Sequence, residues 1–125
     1  MDFSITLYIF LGIIAVVYLK RKFASRGIQH YTAETAKEKI RSGSLLLDVR
    51  TGGERSRNSI KGSVHIPVHE LSSRIPELEK YKSREIICYC ATGSRSLSAA
   101  IRLKKAGFNA ANLTGGISEW NISNI

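Results

Sequence analysis

The uncharged stretch Phe3–Leu19, FSITLYIFLGIIAVVYL, constrains this chain more than any other feature. As a helix it spans about 26 Å at 1.5 Å per residue, a little short of the roughly 30 Å hydrocarbon core of a bilayer. Flanking Lys and Arg side chains bridge such a gap by extending toward the headgroups. The stretch is apolar around nearly its whole circumference, whereas a helix packed into a globular core normally shows a polar stripe. Asp2 precedes it and Lys20, Arg21 and Lys22 follow, with no A-x-A cleavage pattern, which is the wrong charge order for a secretory signal. The sequence therefore predicts an uncleaved single-pass membrane anchor over residues 1–22, touching lipid through residues 3–19. The positive-inside rule then places everything after the basic flank on the cytoplasmic side.

That anchor leaves roughly 100 of the 125 residues, room for one ordinary globular domain and not two. The expected organisation is a short linker over 23–29 and a single domain over 30–125. The formal charge of +9 would suggest nucleic acid if the basic residues formed one patch interleaved with aromatics. Lys20, Arg21, Lys22 and Arg26 instead follow the apolar stretch, and without them 19 − 4 = 15 basic residues face 10 acidic ones. No nucleic-acid partner is expected. Cys88 and Cys90 are the two cysteines. They are expected to face opposite ways and not to bridge, which excludes a disulfide framework and fits a reducing compartment. A lone C-x-C also gives little basis for a metal site.

Helical and strand patterns alternate through the soluble part, which predicts an α/β fold with an open, mostly parallel sheet flanked by helices. Thr32 is the expected N-cap of a helix whose Ala33, Ala36 and Ile40 share one side and which Gly43 stops. Leu45–Val49 is a continuous apolar run of the kind a strand buried on both faces shows. Ser63–Ile66 and Glu85–Tyr89 read as further strands. A helix follows from Ser94 to Ala106, with Arg102, Lys104 and Lys105 near its C-terminal end and Gly107 beyond. Ala110–Leu113 reads as a last strand, turning at Gly115-Gly116 into a short helix that carries Trp120.

The segment between the third strand and its helix, Cys90-Ala91-Thr92-Gly93-Ser94-Arg95-Ser96, carries the chemistry. A loop at the C-terminal end of a central strand sits where open α/β sheets bind ligands, and its amides converge just before a helix N-terminus. Gly93 allows a backbone turn that other residues resist, small neighbours leave the amides accessible, and Arg95 is the expected fixed cation. An unperturbed thiol is only a few per cent thiolate at neutral pH. Donors that cradle an anion also stabilise a thiolate, so Cys90 is the candidate nucleophile and Ala91 to Ser96 its anion cradle.

These residues resemble the active-site loop of rhodanese homology domains, Cys-x-x-Gly-x-Arg-Ser. Leu47-Asp48-Val49-Arg50, Ile60-Lys61-Gly62-Ser63-Val64-His65-Ile66-Pro67 and Leu113-Thr114-Gly115-Gly116-Ile117 with Trp120 match the same family in the same order. The resemblance spans about Tyr31 to Trp120. It implies a five-stranded parallel sheet and a Cys90 that accepts a sulfane sulfur as a persulfide. The implied donor is a small anion such as thiosulfate, or a persulfide thiol. The implied acceptor is cyanide in the test tube, or a cellular thiol or thioredoxin-like protein, with no metal or organic cofactor. Glu54-Arg55 and Asn58-Ser59-Ile60 depart from the family pattern, in what is expected to be a loop away from the nucleophile.

Plainer roles are expected elsewhere. Cys88 is read as a structural core cysteine, and Asp48 and Arg50 as a supporting ion pair that ties loops together rather than as catalysts. His65 and His69 are separated by Pro67 and do not suggest a metal site. Trp120 is read as an apolar lid. Two functional rivals stand beside the sulfurtransferase. Cysteine phosphatases and arsenate reductases use a related Cys-to-Arg loop with five intervening residues, where this chain has four, Ala91 to Ser94. A sulfur carrier or binding module with little turnover would use the same fold to hold a partner at the membrane.

Overall fold

The computed structural model describes residues 2–123; residue 1 of the expected anchor, residues 124 and 125 of the expected domain, and the side chains of Arg21, Ala24, Ser25, Arg26, Ile122 and Ser123 lie outside that description. The chain runs α1 (Phe3–Arg26), β1 (Gln29–Tyr31), α2 (Ala33–Arg41), β2 (Leu45–Asp48), α3 (Gly52–Arg57), β3 (Val64–His65), α4 (Leu71–Arg74), β4 (Ile86–Tyr89), α5 (Ser94–Lys105), β5 (Ala110–Leu113) and α6 (Gly116–Ser123). Short 3-10 turns at Val68–Glu70 and Ile75–Tyr81 flank α4.

The five strands form one sheet in the order β1-β5-β4-β2-β3, and every pair is parallel. β4 is central, between β5 and β2, with Cys88 opposite Leu47 and Tyr89 opposite Asp48 of β2. Helices cover both faces, which is why Leu45, Leu46 and Leu47 are all buried. Leu45, Leu47 and Val49 join Leu103 of α5 and Leu71 of α4 on one face, while Leu46 joins Ala36 of α2 and Ile117 of α6 on the other. The apolar run thus reports two cores rather than one.

Local signals account for the ends of α2. The Thr32 hydroxyl accepts the amide of Thr35 at 3.3 Å, and the chain leaves the helix through Gly43 at φ +111°. Helix α1 continues to Arg26, into the segment expected as a linker, and β1 begins at Gln29. Lys104 Nζ donates to the Gly27 carbonyl at 2.5 Å, tying the start of the domain to the end of α5. Residues Phe3–Lys20 of α1 are long and apolar enough to cross a membrane and are not buried against the domain. A helix of this kind near an N-terminus also suits a signal sequence.

Candidate active site

Strand β4 delivers Cys90 to the C-terminal rim of the sheet, and the loop from Ala91 to Gly93 folds back over its sulfur. Gly93 is the N-cap of α5 at φ +113°, a left-handed conformation that a side chain resists. That turn aims the Gly93 amide at Cys90 Sγ, 3.0 Å away, and the first turn of α5 aims the Ser96 amide at it from 3.4 Å. Ser96 Oγ lies 3.3 Å from the same sulfur. Cys90 is 1% exposed, and burial alone would push its thiol up. Bonds from the Ser96 hydroxyl and from the amides of Ser96, Gly93 and Thr92 outweigh burial and bring it below the usual thiol range. Cys88, two residues earlier, is fully buried without such donors, and burial drives its thiol far up. The two cysteines lie in the same core cluster, not on opposite faces, because alternate residues of a strand share a face. Both are free thiols.

The back of the loop is held by the Gly115-Gly116 turn. Ile117 N–H donates to the Cys90 carbonyl at 3.0 Å, and the Ser118 hydroxyl donates to the Ala91 carbonyl at 3.0 Å. Gly116 has φ +58°, and a Cβ there would stand 2.4 Å from the Cys90 carbonyl oxygen and 2.5 Å from that of Ala91. Both obstacles are backbone, so Gly116→Ala is expected to displace the loop and cost about 2–4 kcal/mol. Thermal unfolding together with the alkylation rate of Cys90 checks this: stability and reactivity should fall together.

Arg95 is shared between two partners. Its guanidinium faces Cys90, and its Nη1 and Nη2 donate to the two Glu54 carboxylate oxygens at 2.7 and 2.8 Å. The Arg95 bonds hold the Glu54 carboxyl down at about 2, so the pair stays ionised at any physiological pH. The segment expected to be a loop away from the nucleophile is helix α3, and it carries Glu54 to the site. A capping box makes that helix: the Thr51 hydroxyl accepts the Glu54 amide, and the Glu54 carboxylate accepts the Thr51 amide. The Thr51-x-x-Glu54 spacing was the available signal, obscured by a Gly-Gly pair that reads as a turn.

Asp48 and Arg50 close the rim on the β2 side. The Arg50 Nε, Nη2 and backbone N–H all donate to the Asp48 carboxylate at 2.9–3.0 Å, and Arg55 Nη1 adds a bond at 3.1 Å. Arg50 also donates to the side chain and carbonyl of Asn58. The Tyr89 hydroxyl accepts the Ile60 amide at 3.1 Å, so the 58–63 segment is fastened twice. His65 is committed to the Arg50 carbonyl at 2.7 Å. Trp120 is half-buried against the second core, with Lys37 Nζ 4.9 Å from its ring. Ala91, Thr92 and Ser94 form the mouth of the loop, Thr92 and Ser94 exposed. Asn112 is a site residue that sequence reasoning passed over, although a polar residue inside the apolar run Ala110–Leu113 was its signal.

Comparison with known proteins agrees with this geometry. A sulfurtransferase of Allochromatium vinosum is 35% identical over 77 residues, which cover 61% of this chain and 70% of that protein. YrkF of Bacillus subtilis, named as a sulfur carrier protein, is 34% identical over an alignment covering 89% of this chain and 66% of its own length. The crystal structure of a rhodanese-related protein from Thermoplasma volcanium superposes with a TM-score of 0.70 at 32% identity, over 76% of this chain and 92% of that one. The profile of the Rhodanese-like domain matches residues 32–123, from the cap of α2 to the end of α6, and the chain belongs to that family.

Proposed function

We propose that the domain is a sulfurtransferase that carries a sulfane sulfur on Cys90. The observation that supports this most is the thiol itself, seated at the base of the loop under the Gly93 and Ser96 amides and shifted toward the thiolate. The thiolate attacks the outer sulfur of thiosulfate or of a persulfide. The new S–S bond forms as the donor's S–S bond breaks, and sulfite or a thiolate leaves with the electron pair. The amides that held the thiolate then hold the terminal sulfur of the persulfide, as an oxyanion hole holds developing charge. An acceptor thiolate, from a small thiol or a thioredoxin-like protein, takes the terminal sulfur and returns Cys90 to its starting state. Ala91, Thr92 and Ser94 frame the entrance. Asp48 and Arg50 brace the neighbouring strand without touching the sulfur.

Because Glu54 offsets the charge of Arg95 beside Cys90, a dianionic donor meets the loop amides and a weakened cation. Glu54→Gln is therefore expected to lower KM for thiosulfate about 3- to 10-fold, with less change for an alkyl persulfide. Steady-state kinetics with both donors tests it; an equal change for the two would show that Glu54 only shapes the loop.

The same proposal places the domain at a membrane, with residues 1–22 as anchor and the segment 23–29 joining it to residues 30–125. The exposed apolar surface of α1 and the cations after Leu19 support an anchor with the domain on the cytoplasmic side. Protease added to intact cells should leave the domain undigested, and its digestion would contradict that placement.

A further inference from the structure

A line of hydrogen-bonding groups leads from the sulfur to the edge of the sheet. Cys90 Sγ lies 3.3 Å from Ser96 Oγ, which lies 2.6 Å from Asn112 Oδ1, and Asn112 Nδ2 lies 3.3 Å from His30 Nδ1. Ser96 and Asn112 are buried, while His30, on edge strand β1, is exposed.

A hydroxyl has one hydrogen to give. Ser96 gives it to Asn112 Oδ1, so the contact with Cys90 is made by the thiol S–H donating to Ser96 Oγ. The Asn112 Nδ2–H then donates to His30 Nδ1, which must be bare, as in the neutral ring with its hydrogen on Nε2. Loss of the thiol proton to water leaves a sulfur that can only accept. Ser96 must then turn its O–H toward Sγ. Its oxygen regains a donor if the Asn112 amide turns over and gives it the Nδ2–H. Asn112 Oδ1 then faces His30 Nδ1, which must carry a hydrogen. Both arrangements satisfy every group, whereas any mixture sets two donors or two acceptors against each other in a buried site.

We propose that Asn112 and His30 are positioning residues for the nucleophile: a bare His30 Nδ1 holds the line in its thiol orientation, and a hydrogen-bearing Nδ1 holds it in its thiolate orientation. The proposal rests on Cys90 being the nucleophile. The charged group facing Cys90 is Arg95 of α5, paired with Glu54 of α3, and the titratable neighbour on its own strand is Cys88. Among the described residues His30 makes no ion pair. Those charges act on Cys90 whichever way the line points, so they cannot imitate a dependence on His30.

Coupling of this kind is reciprocal: ionisation of Cys90 places a hydrogen on His30 Nδ1, and the imidazole in turn bears on Cys90. In the full chain the thiolate is followed by its ultraviolet absorbance, with Cys88 silent near neutrality, and the position of the His30 hydrogen by the NMR shifts of its two ring nitrogens. At a pH where Cys90 is ionised, Cys90→Ser is expected to move that hydrogen from Nδ1 toward Nε2, and His30→Phe to raise the Cys90 midpoint by about half a unit to one unit. Asn112→Leu cuts the line, so the His30 ring-nitrogen shifts should then be the same with Cys or Ser at position 90. Identical His30 ring-nitrogen shifts in wild type and Cys90→Ser, with Cys90 unmoved in His30→Phe, would overturn the proposal. These readouts report hydrogen bonding and not sulfur uptake, so a chain that shows the coupling but never takes up sulfur would refute the transfer reading alone.

Discussion

Cys90→Ser is expected to abolish sulfur transfer, a drop of at least about 10⁴-fold, while changing stability by less than about 1 kcal/mol. The two effects separate because the site binds the residue and uses its sulfur through different properties. A serine Oγ accepts the Gly93 and Ser96 amides much as the sulfur does, so the loop keeps its fold. A hydroxyl, however, neither ionises near neutrality nor forms the labile bond to sulfur on which a carrier cycle depends. Cys88→Ala is the matching control. Cys88 is fully buried and its thiol is driven far up, so that variant should lose a little stability through the vacated volume and keep transfer. Rates of thiocyanate formation from thiosulfate and cyanide, with thermal melts of both variants, decide the matter.

The second large effect concerns folding. Asp48→Ala is expected to cost about 3–5 kcal/mol, because it leaves Arg50, itself 2% exposed, as an unpaired buried cation. Arg55 and the Arg50 backbone N–H lose their acceptor in the same step. Replacing both members, as Asp48→Leu with Arg50→Met, should cost less than Asp48→Leu alone, since no charge then remains buried without a partner. The pH dependence has a definite sign. Burial pushes the Asp48 carboxyl up, but the Arg50 and Arg55 bonds outweigh it and hold the group below its ordinary 3.8. A lowered carboxyl stabilises the fold above that ordinary value and loses its contribution as pH falls through the folded one. The deficit of Asp48→Asn should therefore be full at neutral pH and shrink on acidification, as denaturant melts at several pH values would show.

Much of this architecture was legible because burial leaves strong traces in sequence. Leu45–Val49 read as a strand buried on both faces, Glu85–Tyr89 as a further strand, and the small residues after Cys90 as a cradle before a helix. What escaped was short, exposed or polar. β1 has three residues, two of them exposed on a sheet edge, and carries no apolar run. Helix α3 buries none of its residues and depends on its cap, so hydrophobic periodicity is silent there. The partners of the site were hidden for a related reason: Glu54 reaches Arg95, and His30 reaches Asn112, across distances in sequence that no local pattern spans. Arg95 was legible as a cation of the loop, but its pairing with Glu54 was not, since that partner comes from a helix elsewhere in the chain.

The central claim is that Cys90 carries sulfur, and the intact mass of the chain after exposure to sulfane donors tests it most directly. Incubation with thiosulfate or an alkyl persulfide should add one sulfur atom, about 32 Da, removable by cyanide or dithiothreitol and absent in Cys90→Ser. A wild-type chain that stays unmodified with every sulfane donor, yet hydrolyses an aryl phosphate through Cys90, would contradict the account.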